Sequence, residues 1–450
     1  MFSKKLQPKV VLRFTLVWAI YAWVFVLPWQ TRLLLHEEYL GDTFWEYASV
    51  SLYAHELLAF GIFILYIADR IVFKRKRSLR EQLQAAIIKK PVTPLALGAV
   101  LLLLVIVSGV WSLSPFVTLT RAAHALAAIF VVGITWELRI SWQRLASLLI
   151  GAGIIQGWLA VTQFLDQKVF ASSVLGIAEQ LPNVRGVSVI QYENTRWLRA
   201  YGSLPHPNVL GGIISMIFGL YILMVQRAEV ISTSVKQRSV YWYRFALYGS
   251  QVFLCSALLL SFSRAAWIAS TLIFLILFFA SKVEWQIKKK TFLRVLFIGL
   301  ITTLLWVGLF PKPFLARLQG TQPLERQSIE ERTLSYADSL AVSKDYALFG
   351  TGFGTYTHAL IKKYPERVLS INQPVHNSWL LVLNEIGVLA IAVLGAIFIR
   401  VYMAARSRRV AGAFLVALVV LMVFDHWWVS LVFGNAFLAL MLYFAKTGEV

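Results

Sequence analysis

The chain is almost free of cysteine. The only one in 450 residues, Cys255, lies inside an apolar block, which excludes an intramolecular disulfide and any thiolate metal cluster. Charge is scarce as well: 14% of the residues are Asp, Glu, Lys or Arg, against roughly a quarter in soluble domains. Acidic residues are the scarcer kind, 22 against 43 Lys and Arg, leaving a net charge of +21. No HExxH or CxxC spacing occurs and no acidic cluster marks a divalent metal site, so neither metal nor cofactor is expected. Internal repeats, an inverted repeat, paired broken helices and low-complexity tracts are not apparent. The first apolar block, from Val10, lacks a small-residue cleavage site; it reads as a retained helix rather than a signal peptide.

What remains is hydrophobic: 58% of the residues are apolar or aromatic. Blocks of about twenty such residues recur along the chain, as bilayer-spanning helices require. Strands cannot satisfy their backbone in lipid unless closed into a barrel, so the expected fold is an all-α integral membrane protein, one polytopic domain over residues 1–450. Spans are expected to begin near Val10, Val50, Val92, Leu119, Arg144, Pro207, Phe245, Ala266, Leu293, His376, Val410 and Val429, about twelve in all. Basic residues come in short runs between blocks: residues 74–80 (KRKRSLR), 288–290 (KKK) and 406–409 (RSRR). This is the positive-inside pattern with an added attraction to anionic membrane lipids, not a nucleic-acid surface. With both termini in the cytoplasm, about 28 Lys and Arg fall inside and about 15 outside.

Two long loops then face the extracytoplasmic side, residues 166–205 and 311–375, and loops of such length usually carry function. Within the second, IEERTLSYADSLAVSKDYALFG reads as a helix with Leu334, Ala337, Leu340 and Ala341 on one face. A GTGFG turn with Gly350, Gly352 and Gly354 follows. It lacks a Walker lysine and a preceding strand, so it is not a nucleotide loop. Polar residues gather at the outer ends of separate spans: His206 and Asn208 in YGSLPHPNVLGG, Arg264 in SFSRAAW, Arg332 on the loop helix, and His376 with Asn377 at the mouth of the tenth block. An imidazole at that boundary can exchange a proton near neutral pH. Arginine at the edge of lipid is costly unless it meets an anion or backbone groups, and its guanidinium grips phosphate in a bidentate fork.

Each residue also has a purely structural reading. Arg264 can snorkel to headgroups. His376 can belong to a helix cap with Asn377 and Ser378. His206 can be a turn residue between prolines. Arg332 can pair with Glu330, Glu331 or Asp338. His55, Glu56, Arg121 and His124, inside apolar spans, are expected to satisfy one another, and Glu385 to make a packing hydrogen bond. Asp425-His426-Trp427-Trp428 reads as an interfacial aromatic anchor.

Taken in order, these pieces resemble the O-antigen ligase and polymerase superfamily of bacterial membrane glycosyltransferases. The resemblance is strongest over residues 205–390. It rests on Pro205-His206-Pro207-Asn208, on Ser263-Arg264-Ala265, on Arg332, on the 348–356 turn and on the helix start from His376 to Gly387. Ala265 departs from the glycine often found there in the family. The resemblance implies a GT-C-like bundle with a large helical extracytoplasmic loop, residues 311–375, between the ninth and tenth spans, carrying the active site. It implies transfer of a glycan from an undecaprenyl-diphosphate-linked donor to a lipid, glycan or protein acceptor, inverting and without metal. Arg264 and Arg332 would bind the diphosphate and His376 would be the catalytic base. His206, Asn208, Asn377 and Arg199 would support the substrates. The motifs do not separate ligase from polymerase. A lipid-linked glycan flippase would need basic residues along a path through the bilayer rather than clustered at one face. The implied location is the cytoplasmic membrane.

Overall fold

A computed structural model of the protein describes residues 8–40, 43–72, 93–234, 238–280 and 284–449. The basic run at 74–80 lies outside these residues. The chain opens with helix α1 (Pro8–Val26). Strands β1 (Arg32–His36), β2 (Tyr39–Leu40), β3 (Thr43–Phe44) and β4 (Val50–Tyr53) follow, paired β1 with β4 and β2 with β3. The block expected to begin a helix at Val50 therefore starts as a strand. Its helix, α2 (Ala54–Val72), begins four residues later. Helix α3 (Pro94–Val107) is set by Thr93, whose hydroxyl accepts the Ala96 amide, and by proline at its first position.

Helices α4 (Pro115–Glu137) and α5 (Trp142–Asp166) come next, then the hairpin of β5 (Val189–Tyr192) and β6 (Thr195–Leu198) inside the 166–205 loop. Then come α6 (Pro207–Ser234), α7 (Arg238–Leu260), α8 (Arg264–Ala280) and α9 (Trp285–Leu309). The 311–375 region holds α10 (Pro311–Gln319), α11 (Pro323–Tyr346) and α12 (Tyr356–Lys363). The chain ends with α13 (Ser378–Ile386), α14 (Val388–Ala404), α15 (Arg408–Phe424), α16 (Trp427–Ser430) and α17 (Val432–Thr447).

By length and composition, four helices can cross a membrane: α4, α5, α6 over Pro207–Ile231, and α9. Six further apolar helices among the described residues are shorter. Helix α6 is the hub. Its apolar window is 94% buried, and α5, α7, α8 and α9 all pack on it. Trp285–Leu309, by contrast, turns most of its window outward (22% buried), so its leucines are left to face lipid.

Helix direction sorts the chain's ends. The Pro28 carbonyl, two residues beyond α1, accepts the Ser203 hydroxyl at 3.0 Å, so the start of α1 lies at the opposite end of the bundle from the 166–205 loop. Lys288–Lys290 open α9, whose far end leads into α10. Arg406 bonds the C-terminal segment through the Lys446 carbonyl and Glu449. The basic runs at 288–290 and 406–409 thus share one end of the bundle with the start of α1 and the end of α17, and the 311–375 region occupies the other.

Two apolar blocks expected as continuous spans are interrupted, contrary to the expectation of unbroken helices. The tenth breaks at Gly387 (φ 93°, ψ 177°), a conformation that only glycine adopts readily. A Cβ there would come within 2.2 Å of the Leu348 carbonyl oxygen. The GTGFG turn docks at this break: Thr351 and Gly352 donate their amides to the Asn384 and Glu385 carbonyls at 2.8 and 3.0 Å, and the Tyr356 amide reaches the Glu385 carboxylate at 3.3 Å. Glu385 is thus a packing acceptor, as expected. Gly387→Ala is expected to cost about 3 kcal/mol or more, read as a lowered thermal midpoint of the purified protein in detergent. The last block breaks between α16 and α17.

The loop helix α11 uses a different face from the one expected. Leu334, Ala337 and Leu340 are exposed. The helix seats instead through Ser339, Ser343 and Val342. Asn384 donates to the Ser339 hydroxyl at 2.7 Å and accepts from the Ser343 hydroxyl at 3.0 Å. Asp338 holds Arg367 at 2.6 and 3.2 Å. A polar contact between Ser and Asn carries no hydrophobic periodicity, so the apolar pattern pointed to the wrong side.

Candidate active site

The SFSRAAW segment reverses the chain between α7 and α8 with Phe262 in the left-handed region (φ 49°). This puts Arg264 on the first turn of α8, facing α10 and α11. Its guanidinium meets Glu325 at 3.2 Å. Arg317, near the end of α10, pairs with the same carboxylate and donates Nε–H to the Phe262 carbonyl at 2.8 Å. Glu325 is 4% exposed, so one buried carboxylate fixes two guanidiniums while neutralising only one. Arg332 is half-buried. Two of its expected partners are otherwise engaged: Asp338 holds Arg367 and Glu331 accepts from Gln327. No hydrogen bond or ion pair ties the Arg332 guanidinium to any described residue, Glu330 included.

Arg264, Arg317 and Arg332 line one cavity of about 310 Å³ together with Asn208, Ser263 and Asp425. Ala265, Ile268, Leu421, Phe424 and Trp427 form its apolar wall. The first turns of α6 and α8 supply Asn208 and Arg264, so two helix N-termini meet at the cavity. Each favours negative charge. An anionic ligand with an apolar attachment fits such a lining.

Behind Asn208 runs a polar chain. Arg199, 7% exposed, donates to the Ser261 carbonyl at 2.9 Å and to Asn208 Oδ1 at 2.7 Å. Asn208 Nδ2 reaches Asp425 Oδ2 at 3.2 Å. The His426 amide donates to Asp425 Oδ1 at 2.8 Å, and its ring Nδ1 meets the Ser430 hydroxyl at 2.7 Å. His206 has both nitrogens occupied, Nε2 with Ser188 Oγ (2.8 Å) and Nδ1 with the Asn208 amide (3.1 Å). It orients Asn208 and is not free to exchange a proton.

His376 lies beside this chain rather than on the cavity lining. Its ring centroid is 5.5 Å from that of His426, and Asp425, on the cavity wall, is bonded through its carbonyl to Ser378 two residues on (3.1 Å to the amide, 2.7 Å to the hydroxyl). The cap of α13 is made by Asn377 alone, whose Oδ1 accepts the Trp379 and Leu380 amides at 2.9 and 3.0 Å. The imidazole of His376 is left out of the cap, and its Nδ1 is buried with no hydrogen-bond partner among the described residues. Asn377→Ala is expected to lower stability by about 1 kcal/mol, seen in thermal unfolding, whereas Asn377→Asp keeps the acceptor and most of that stability.

Burial lowers the His376 imidazole below its ordinary 6.5, and Arg332 lowers it further against the opposing pull of Asp425. Burial takes His426 down to about 4 and His206 to about 3. All three are neutral at pH 7, when a lone pair is available. Burial raises the Asp425 carboxyl, but His426, His376 and His206 with the His426 amide overcome it, and the group ends below the ordinary carboxylate range.

The structure therefore gathers Arg264, Arg332, Asn208 and, one layer back, His376, His206, Arg199 and Asn377. It adds Arg317, Glu325, Asp425 and His426, which sequence reasoning missed. Arg317 and Glu325 offered little signal beyond a proline-started helix ending in Arg-Leu-Gln-Gly. Asp425 and His426 did offer one, an acidic–imidazole pair closing an apolar block, but the adjacent tryptophans drew the reading to the interface. Trp427 and Trp428 are in fact 2% and 0% exposed, stacked on each other at 3.9 Å, a core rather than an interfacial anchor. Of the intramembrane set, Glu56 pairs with His124 as expected. Arg121 instead donates to the Ser430 carbonyl at 3.0 Å, and His55 Nδ1 is buried without a partner.

Fold and site define a multi-pass membrane protein with a polar, arginine-lined cavity at one end of its bundle. Residues 249–395 match the model of the O-antigen ligase family. This match supports O-antigen ligase family membership and, at the family level, a membrane glycosyltransferase reading. No curated protein matches it. The matched segment holds Arg264, Arg317, Arg332 and His376, while Arg199, His206, Asn208, Asp425 and His426 come from outside it.

Proposed function

We propose that the protein transfers a glycan from an undecaprenyl-diphosphate carrier to an acceptor hydroxyl, with Arg264 and Arg332 holding the diphosphate and His376 acting as general base. One observation carries this reading: three guanidiniums and the first turns of two long helices converge on a single cavity whose lining is otherwise largely apolar. A diphosphate ester of a long isoprenoid has that amphipathic form.

The bond that breaks joins the anomeric carbon to the carrier's terminal phosphate oxygen. As it breaks, negative charge grows on the leaving diphosphate, and the arginines are positioned to stabilise it. Arg332 carries the largest share, since no carboxylate among the described residues is paired with it. The acceptor oxygen attacks from the opposite face, inverting the anomeric centre, and gives its proton to His376. Arg199, Asn208 and His206 hold Asp425 in place, and Asn377 fixes the helix that begins after His376. No cofactor takes part in this scheme.

The site end of the bundle faces the extracytoplasmic side in this reading, and both termini face the cytoplasm, because the basic segments at 288–290 and 406–409 cluster at the opposite end. The purified protein, incubated with undecaprenyl-diphosphate glycan without nucleotide, tests the proposal. Glycan appearing on an added acceptor supports a ligase, and lengthened carrier-linked glycan supports the polymerase alternative. Donor binding with unaltered glycan on either face of a proteoliposome, or its translocation, would overturn the transferase reading.

A further inference from the structure

The region around His376 holds a second chemical possibility that the transfer scheme does not use. His376, Asp425 and His426 each place one ligand atom within 4.8 Å of the others. Two imidazoles and a carboxylate are a donor set for borderline divalent metals of the zinc class, which bind three protein ligands and leave a fourth position open. Geometry favours these three over their neighbours. His376 Nδ1 is buried and has no hydrogen-bond partner among the described residues, so it has no bond there to give up. His426 uses only Nδ1, toward Ser430, leaving its other nitrogen for a ligand. Asp425 is oriented by Asn208 and by the His426 amide, the kind of outer support that fixes metal ligands. His206 is excluded, because both its nitrogens are bonded.

From this arrangement we propose that His376, Asp425 and His426 form a binding site for a zinc-class divalent cation, and that a bound cation inhibits transfer by taking the lone pair of His376. Asp425 also lines the cavity, so the site borders the arginine-lined space. Arg332 opposes a cation there and limits its affinity. The inhibitory half rests on His376 being the base, and the binding half does not.

The test is isothermal titration of the chelator-treated full-length protein in detergent with zinc chloride, alongside the transfer assay with and without zinc. Saturable binding of one zinc per chain is expected, weakened about a hundredfold in His426→Ala, since loss of a ligand should cost at least what loss of outer support costs. His36→Ala, which removes the exposed His36–Glu38 pair, should leave this binding unchanged. Transfer by the wild type should fall on adding zinc and recover with chelator, and the rate of His426→Ala, relative to its own zinc-free value, should hardly respond. Asp425→Asn serves as the second ligand variant if His426→Ala unfolds. No saturable zinc binding, or binding unaltered in both folded ligand variants, would overturn the site. Zinc bound at these residues with transfer unaffected would overturn the inhibitory role. Because the isotherm needs no donor, a failed transferase reading leaves the binding result intact.

Discussion

His376→Ala is expected to lower the transfer rate by about two to four powers of ten without weakening donor binding. The acceptor hydroxyl is a poor nucleophile until its proton has somewhere to go, and among the described imidazoles near the cavity His376 is the one with a buried nitrogen free of partners. His206 is bonded on both sides and His426 on one. The side chain contributes nothing to the α13 cap, which belongs to Asn377, so the variant should fold and its loss should be chemical. A pH profile gives the same residue a second reading. Burial depresses the folded-state imidazole below 6.5, so the free base is fully present at neutral pH and is lost only as pH falls through that lowered value. The acid limb of the rate should therefore lie below 6.5 and should vanish in His376→Ala. A limb above 6.5 would assign the proton transfer elsewhere.

Arg332→Ala is expected to cost about two to three powers of ten in transfer, with weaker donor binding as well, because the diphosphate is charged before the bond breaks and more so after. This arginine has no carboxylate or carbonyl partner among the described residues, so its removal leaves no buried acceptor unpaired, and thermal stability should be unchanged. Arg264 and Arg317 differ. Both lean on Glu325, and removing Arg317 strips a buried carboxylate of its closest partner, so Arg317→Ala should destabilise the fold as well as slow transfer. Arg332→Lys should restore little, since an ammonium cannot reproduce the planar two-oxygen grip. Lysine activity near that of the wild type would mean that Arg332 acts only as a diffuse charge.

Much of the architecture was legible from residue patterns. The apolar blocks are helices, and Arg264, Arg332, Asn208 and His376 do approach one another although more than a hundred residues separate some of them. What remained hidden has physical causes. Strands β1 to β3 lie in a short mixed connection and β4 opens the apolar block itself, so none has an alternation long enough to distinguish a strand from a helix entrance. The break at Gly387 depends on a conformation that a lone glycine permits but does not announce. Helix α11 binds through Ser339 and Ser343 to Asn384, a polar seam with no hydrophobic period to read. Glu325, Arg317, Asp425 and His426 acquire meaning only through tertiary pairing. A buried carboxylate shared by two arginines cannot be inferred from the spacing of those arginines in the chain.

The account stands on one division of labour: guanidiniums hold the diphosphate and the imidazole moves the proton. The measurement that tests it most directly is donor binding and single-turnover transfer, side by side, for the wild type, Arg332→Ala and His376→Ala in the same detergent. Unimpaired binding with abolished transfer in His376→Ala, and impaired binding with slowed transfer in Arg332→Ala, is the predicted result. Near-normal transfer by a folded His376→Ala protein, or undiminished binding by Arg332→Ala, would contradict it.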